Sequence, residues 1–134
     1  MLQRTDILET LRTYRLIMQF KCSSEDWSNV AEFWSSVVGL HDSLLADAQY
    51  SKASTTMILE FQEVLTHSPD SGFRIAHPRL QLQLTGAEDG NFQRVQNAVG
   101  HDVAATELLP RELWVNTMGG SFSVSFASLR FVIP

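Results

Sequence analysis

Glu60 is the residue whose type and setting most favour chemistry in this chain. It stands inside residues 55–64 (TTMILEFQEV), a stretch rich in β-forming and apolar residues, where a carboxylate is unexpected. A carboxylate buried there needs a partner or a raised pKa, and such a group can act as a general base. The alternative is an ordinary polar position on the solvent side of an antiparallel sheet.

Three tryptophans carry most of the potential for binding a ligand. Trp27 and Trp34 are seven positions apart and share one face of a predicted helix, where we expect them to pack in the core. Trp114 follows a proline-containing loop and precedes Gly119-Gly120, so its ring either walls a pocket or simply packs. Aromatic walls with few charges suit a planar or amphipathic small molecule. The glycine pair predicts a hairpin turn rather than a phosphate cradle, because neither a helix nor a lysine follows it.

The histidines and the cysteine favour structural roles. The histidines (His41, His67, His77 and His101) fall in polar stretches, and no two show the i,i+4 spacing of metal ligands on a helix. We therefore expect them to be exposed or to cap elements, with His77, directly before a predicted strand, the one of most interest. The chain has one cysteine, Cys22, which rules out a disulfide within the chain and predicts a small buried hydrophobe.

Length and composition predict one soluble globular domain. The chain has 134 residues, of which 44% are hydrophobic and 19% charged, enough for one core and too few for two ordinary domains. Its net charge of −5 and its scattered basic residues argue against a nucleic-acid partner. Since no apolar run approaches a membrane span and no leader is visible, we expect no membrane partner and a cytoplasmic location.

Two stretches resemble rough copies of each other and predict how the chain is organised. Residues 16–40 and 80–100 each run as a strand, an acidic turn, an amphipathic helix and a glycine. We expect the last two strands to pair through a tight turn at 127–129. The predicted elements are a leading helix 5–14, a strand 16–22, a helix 26–38, an edge strand 48–52, strands 55–64 and 80–85, a helix 91–99, a loop or short strand 106–114, and strands 121–127 and 129–134.

The end of the first helix carries a family resemblance. Residues 33–40 (FWSSVVGL) resemble the phenylalanine–tyrosine, three-spacer, leucine–glycine–leucine signature of the vicinal oxygen chelate superfamily. That superfamily includes glyoxalases, extradiol dioxygenases, and fosfomycin and bleomycin resistance proteins. Asp26 stands where such sequences place an aspartate before the first helix. The stretch from Trp114 to Phe122 and the mid-chain duplication also fit, and the resemblance covers about residues 16–134.

The resemblance implies a particular architecture. It predicts a single α+β domain over residues 1–134, built from paired βαβββ modules that form a curved mixed sheet around a pocket, often completed across a homodimer. The expected parts are the extra N-terminal helix at 5–14, a first module at 16–65, a linker at 66–78 and a second module at 79–134.

The resemblance also places candidate metal ligands. Gln19 corresponds to the first-strand ligand of the family, Glu60 to the glutamate that closes the first module, and Gln81 to the ligand that opens the second. The family's final glutamate is missing, because residues 125–134 hold no carboxylate, only Arg130. Two amides and one carboxylate make a poor site for a divalent ion, since neutral amides do not offset its dehydration. We therefore expect no cofactor, with a divalent metal on these residues as the alternative.

Taken together, the resemblance and the residues predict a small-molecule binding protein of the glyoxalase and bleomycin-resistance type. We expect it to lack a complete metal site, to bind a small-molecule ligand and to form a homodimer. A divalent-metal-dependent lyase or isomerase of the glyoxalase kind and a non-catalytic interaction module are the alternatives, so whether it is an enzyme stays open. Glu60 is the candidate catalytic residue, and the candidate ligand contacts are Trp114, Gln19, Gln81, Phe122 and Trp34.

Overall fold

The computed structural model of this protein describes residues 17–20, 27–70, 72–88 and 92–134. The leading helix expected at 5–14, Cys22 and Asp26 lie outside these residues. The described elements are β1 (Ile17–Phe20), α1 (Trp27–Ser36), a 3-10 helical turn (Val38–Leu40), β2 (Leu44–Ser51), β3 (Thr56–Ser68), β4 (Gly72–Thr85), α2 (Phe92–Ala98), β5 (Val103–Leu109), β6 (Glu112–Thr117), β7 (Gly120–Ser125) and β8 (Ser128–Val132).

The strands form two sheets, and the α+β class predicted from the sequence is confirmed. One sheet has five strands in the order β1-β8-β4-β3-β2, and the other has three in the order β5-β6-β7. Within the described residues every strand pair is antiparallel, so the expectation of a mixed sheet is wrong. A bridge between Leu44 and Asp102 joins the start of β2 to the start of β5.

Alternating side chains divide each sheet into a core side and an outer side. In β4, Leu80, Leu82 and Leu84 are fully buried, whereas Gln81 and Gln83 between them are half-buried. This is the one-sided burial that strict leucine–glutamine alternation predicts, since successive side chains of a strand point to opposite faces. The buried leucines belong to one continuous hydrophobic core that both sheets share.

Helix α1 covers the core side of the five-stranded sheet. Val30 in the helix and Val37 directly after it are buried, and the ring of Phe33 lies 4.5 Å from that of Phe131 on β8. The expected apolar stripe of this helix is thus confirmed. With 10 residues, α1 is the longest helix in the described ranges, and none there is long and apolar enough to cross a membrane.

Gly39 lies in the turn after α1 and has to be a glycine. Its φ of +60° is unfavourable for other residues, and a Cβ there would lie 3.0 Å from Oγ1 of Thr106 and 3.3 Å from Nε1 of Trp34. The hydroxyl of Thr106 also donates a hydrogen bond to the Gly39 carbonyl, which ties the turn to β5. Gly39 has the expected left-handed conformation, but α1 already ends at Ser36, two residues before the predicted end at Val38, and Gly39 lies within the 3-10 turn that follows.

Residues 66–78 do not form the linker that their prolines, glycine and polar residues suggested. They are the far end of a long hairpin, in which β3 continues to Ser68 and β4 starts at Gly72. We call this end the hairpin arm (residues 64–77). The turn signals mark only the tip, which includes 69–70, and Pro78, which has no N–H to donate, has no register partner among the described residues.

The last strand also differs from expectation. β8 does not pair with β7; it lies between β1 and β4 in the five-stranded sheet. The predicted tight turn at 127–129 is instead a crossing between sheets. The N–H of Ala127 donates to the carbonyl of Thr85 at 2.8 Å, and the N–H of Phe126 donates to that of Arg111 at 3.0 Å. These two bonds fix the crossing between the sheets, after which the chain continues as β8 and pairs with β4.

Candidate functional site

The outer side of the five-stranded sheet carries a band of polar side chains that we call the polar face. Residues opposite each other in an antiparallel register share a face, and two neighbouring rows cross the sheet in this way. The first row is Asp47, Glu60, Gln81 and Val132, and the second is Gln49, Ile58, Gln83 and Arg130. In the three inner strands, the members of both rows are half-buried rather than exposed.

Glu60 is held by two side chains from β4, which supply three donor nitrogens. The guanidinium of Arg79 donates from Nε, at 3.1 Å, and from Nη2 to Oε1 of Glu60. Nε2 of Gln81 donates to the same oxygen at 3.3 Å. The Glu60 side chain is only 15% exposed and that of Arg79 is 51% exposed. The strand register places the guanidinium of Arg79, two residues before Gln81 on β4, within reach of Glu60. This contact explains why a carboxylate is present in the apolar stretch.

Arg130 lies on the same face with far fewer contacts. Its Nη1 donates to Oε1 of Gln83 at 3.5 Å, the long limit of a hydrogen bond, and its buried Nε has no partner among the described residues. In the described part of the chain, the ion pairs are Arg79–Glu60 and His41–Asp42, so no carboxylate pairs with Arg130 there. Sequence reasoning noted Arg130 only as a departure from a family pattern. The sequence feature that could have identified Arg130 is a single positively charged residue in a strand that is otherwise mostly apolar.

The three candidate metal ligands come from three strands, of which only β3 and β4 are neighbours. Glu60 and Gln81 are neighbours, but Gln19 is at the register position beside Arg130 on β1. β1 and β3 are three strand spacings apart, or about 14 Å, whereas oxygen ligands lie about 2.0–2.6 Å from a divalent ion. Among the described residues no group of three or more His, Cys, Asp or Glu side chains is placed to share an ion.

Trp114 and Phe122 lie on opposite sides of the three-stranded sheet. Trp114 is 48% exposed and borders a hollow of about 220 Å³ together with Glu107, its register partner on β5. Phe122 is opposite Val115 and is 3% exposed, so its ring is part of the core. Alternation along β7 turns this position inward, away from the hollow at Trp114, and the expected ligand contact of Phe122 stays a prediction.

Trp34 borders a second, wider groove. Its half-buried indole lies between the end of α1, the hairpin arm and β5, beside His41 and His67, in a groove of about 620 Å³. The groove shares Ala105 and Thr106 with the hollow at Trp114, so the two adjoin along β5. This volume is typical of ligand pockets, but two of its polar side chains are engaged within the protein: Nδ1 of His41 with the Ala104 carbonyl at 2.8 Å, and the hydroxyl of Thr106 with the Gly39 carbonyl.

His77 departs from the expectation for the histidines. His41, His67 and His101 are exposed as expected, but His77 is half-buried in β4, opposite Val64, with its ring centroid 6.4 Å from that of Phe33. Burial lowers the pKa of His77 below its ordinary value, because the charged ring loses hydration. We therefore expect a neutral ring at neutral pH.

Comparison of the chain with protein-family models, with curated proteins and with solved structures finds no match. The structure divides the candidate residues into two groups. Glu60 and Gln81 lie on the polar face, with Gln19 at the adjoining register position of β1. Trp34 and Trp114 lie along β5, away from that face.

Proposed function

We propose that this protein binds a small polar molecule on the polar face. The observation that carries the proposal is that Glu60, Gln81, Gln83 and Arg130 are half-buried together on the inner strands of the widest sheet. Partly burying polar groups costs stability that apolar side chains would not. A few polar groups beside apolar ones, here Ile58 and Val132, are also what ligand sites use to orient a small molecule.

Binding there is proposed to be independent of a metal ion. The positive charge next to the Glu60 carboxylate is already supplied by Arg79, and a second cation at that carboxylate would be repelled. These contacts favour binding over the metal-dependent lyase or isomerase, since Oε1 of Glu60 already accepts from three donor groups.

The paired βαβββ arrangement and the glyoxalase and bleomycin-resistance type remain part of the proposal. Each helix follows a strand and precedes a three-stranded antiparallel meander, β2-β3-β4 after α1 and β5-β6-β7 after α2, with β4 serving both as the last strand of the first meander and as the strand before α2. This repeated order supports two related halves.

The proposal is tested by titrating isotope-labelled protein with a library of small polar fragments, with and without a chelator. We expect the amide signals of residues 58–62, 79–83 and 129–132 to move, and the chelator to change nothing. Gln81→Leu should weaken binding, because it removes an amide at the centre of the face. Gln93→Leu on the exposed side of α2 is the matched control. Fragments that move only the signals around Trp34 or Trp114 would contradict the proposal.

We also propose that the protein is a homodimer that pairs through the hairpin arm. Phe73 and Ile75 on the arm are 52% and 53% exposed. Within the described residues β4 pairs with β8 only from Gln81 onward, so the outer edge of the arm is open to a second copy. Exposed apolar residues on an open edge are a surface that proteins normally cover.

Sedimentation velocity tests the dimer. The wild type should sediment as a dimer and Phe73→Ser/Ile75→Ser as a monomer. The matched control is Met118→Ser, a change at another exposed apolar residue, 78% exposed, in the turn after β6. A monomeric wild type would refute this part of the proposal.

A further inference from the structure

The two arginines of the polar face differ in what they contact. Arg79 is the more exposed of the two and donates from two nitrogens to Glu60. Arg130 is half-buried, makes one long hydrogen bond to Gln83 and leaves Nε without a protein acceptor among the described residues. The more buried guanidinium is thus the one that lacks a carboxylate there.

This arrangement is unfavourable for the protein on its own. A guanidinium has five N–H donors, and burying it without acceptors or a counter-charge costs free energy. Replacing such an unpaired charge by an apolar residue of similar volume is often neutral or stabilising. Arg130 is therefore poorly explained by folding stability alone.

Among the residues that the structure describes, no neighbouring acid on the sheet supplies the missing charge. Glu60, the half-buried acid of this face, lies on β3, two strand spacings or about 10 Å from β8, and is bound by Arg79. Residues 125–134, which contain β8, hold no carboxylate. An anion that reaches Arg130 would pair the charge and accept from its free donors.

We infer that the ligand of the polar face carries a carboxylate and that Arg130, assisted by Gln83, binds it. The inference rests on the proposed function and names the chemical class of its ligand. A planar carboxylate matches the fork of a guanidinium with two parallel hydrogen bonds. One unpaired cation balances a single negative charge, which favours a monocarboxylate over a phosphate dianion.

The neighbours of Arg130 indicate what the rest of the ligand is like. Val132 is two residues along β8 on the same face, and Ile58 is in the same row beyond Gln83. Both are half-buried apolar side chains. The ligand class is therefore a small monocarboxylate with an apolar body, such as a short fatty acid or an aromatic acid.

The full chain is titrated with hexanoate, benzoate, the neutral analogue hexanamide and inorganic phosphate. Binding is measured by the changes in amide chemical shifts and by calorimetry. Hexanoate and benzoate should bind and move the signals of residues 58, 81–83 and 129–132, whereas hexanamide and phosphate should bind much more weakly. Arg130→Met should lower carboxylate affinity by about 10- to 100-fold, as expected for hydrogen bonds to a charged group. Arg130→Lys keeps the charge without the fork and should fall in between. Arg94→Met, on the exposed side of α2, should bind as the wild type does.

A second readout separates recognition from a structural role. Without ligand, Arg130→Met should unfold at the same urea concentration as the wild type or at a higher one; a clear loss of stability would make Arg130 structural and overturn the inference. Carboxylates that fail to bind, or that bind equally to wild type, Arg130→Met and Arg130→Lys, would overturn it as well. If neutral fragments still bind in a Gln81-dependent way, the proposed function survives that failure. If nothing binds the polar face, both fail.

Discussion

The outer sides of the two sheets both carry polar residues but bury them to different extents. On the five-stranded sheet Gln81, Gln83 and Arg130 are half-buried. On the three-stranded sheet the outward residues Glu107 and Trp114 are exposed. Both sheets turn their other side to one common core.

The difference follows from how many strands flank each residue. In the five-stranded sheet β8, β4 and β3 each have neighbours on both sides, so long side chains are screened by those of the adjoining strands. In the three-stranded sheet only β6 has two neighbours, so Glu107 on the edge strand β5 is screened from one side only, whereas Trp114 on β6 is exposed in spite of its two neighbours. The five-stranded sheet, which we call the wide sheet, can thus hold polar groups in fixed contacts such as Glu60 with Arg79. The three-stranded sheet, which we call the narrow sheet, presents groups such as Glu107 to solvent. We place the ligand site on the wide sheet for this reason.

The largest expected effect tests which residues of the narrow sheet face the core and which face outward. Phe122→Ala should destabilise the protein by about 3–5 kcal/mol, because it opens a cavity in the core. Trp114→Ala on the outer side should cost less than about 1 kcal/mol, since half of that side chain is already in solvent. Urea denaturation followed by circular dichroism measures both. Equal losses would show that Trp114 is packed and that the comparison of sides is mistaken.

A smaller effect is expected from the charge contact of the wide sheet. Arg79→Met should lower stability by about 1 kcal/mol, because it leaves the Glu60 carboxylate, 15% exposed, without its charged donor. The estimate is modest because half of Arg79 is hydrated. Glu107→Gln on the narrow sheet should change stability by less than about 0.5 kcal/mol.

The same urea titrations check this contrast between the charges of the two sheets. Adding Glu60→Gln to Arg79→Met should restore part of the loss, because the unpaired carboxylate is removed. If Arg79→Met and Glu107→Gln are indistinguishable, the polar face is no better ordered than the open sheet.

The sequence predicted those elements whose signals are local. Leucine–glutamine alternation at 80–85 and the apolar stripe of the first helix depend only on period, and both are confirmed by the burial of Leu82 and Val30. Glu60 was singled out because a carboxylate in an apolar stretch must be explained, and its contact with Arg79 is that explanation.

The sequence could not predict features that depend on which strands meet. The partner of β8 is set by a crossing between sheets at Phe126 and Ala127, and nothing local distinguishes that crossing from a hairpin turn. Arg130 stands out only once β8 is known to lie beside Gln83, where its charge lacks a carboxylate among the described residues. The hairpin arm was missed because proline and glycine mark a hairpin tip and a linker alike.

The smallest expected effect concerns histidines that are screened to different extents. His77, half-buried beside Phe33, has a lowered pKa in the folded state, so the unfolded state binds its proton more readily. Its contribution to stability is complete above the ordinary histidine pKa and is lost as the pH falls through that value. We therefore expect the melting temperature to fall between neutral pH and about pH 5, and His77→Gln to remove part of that fall. His101→Gln, at an exposed site, should keep the acid dependence of the wild type. If His77→Gln keeps the acid dependence of the melting temperature as well, the His77 ring is hydrated in solution. The burial of polar side chains on the five-stranded sheet would then not extend along β4 into the hairpin arm.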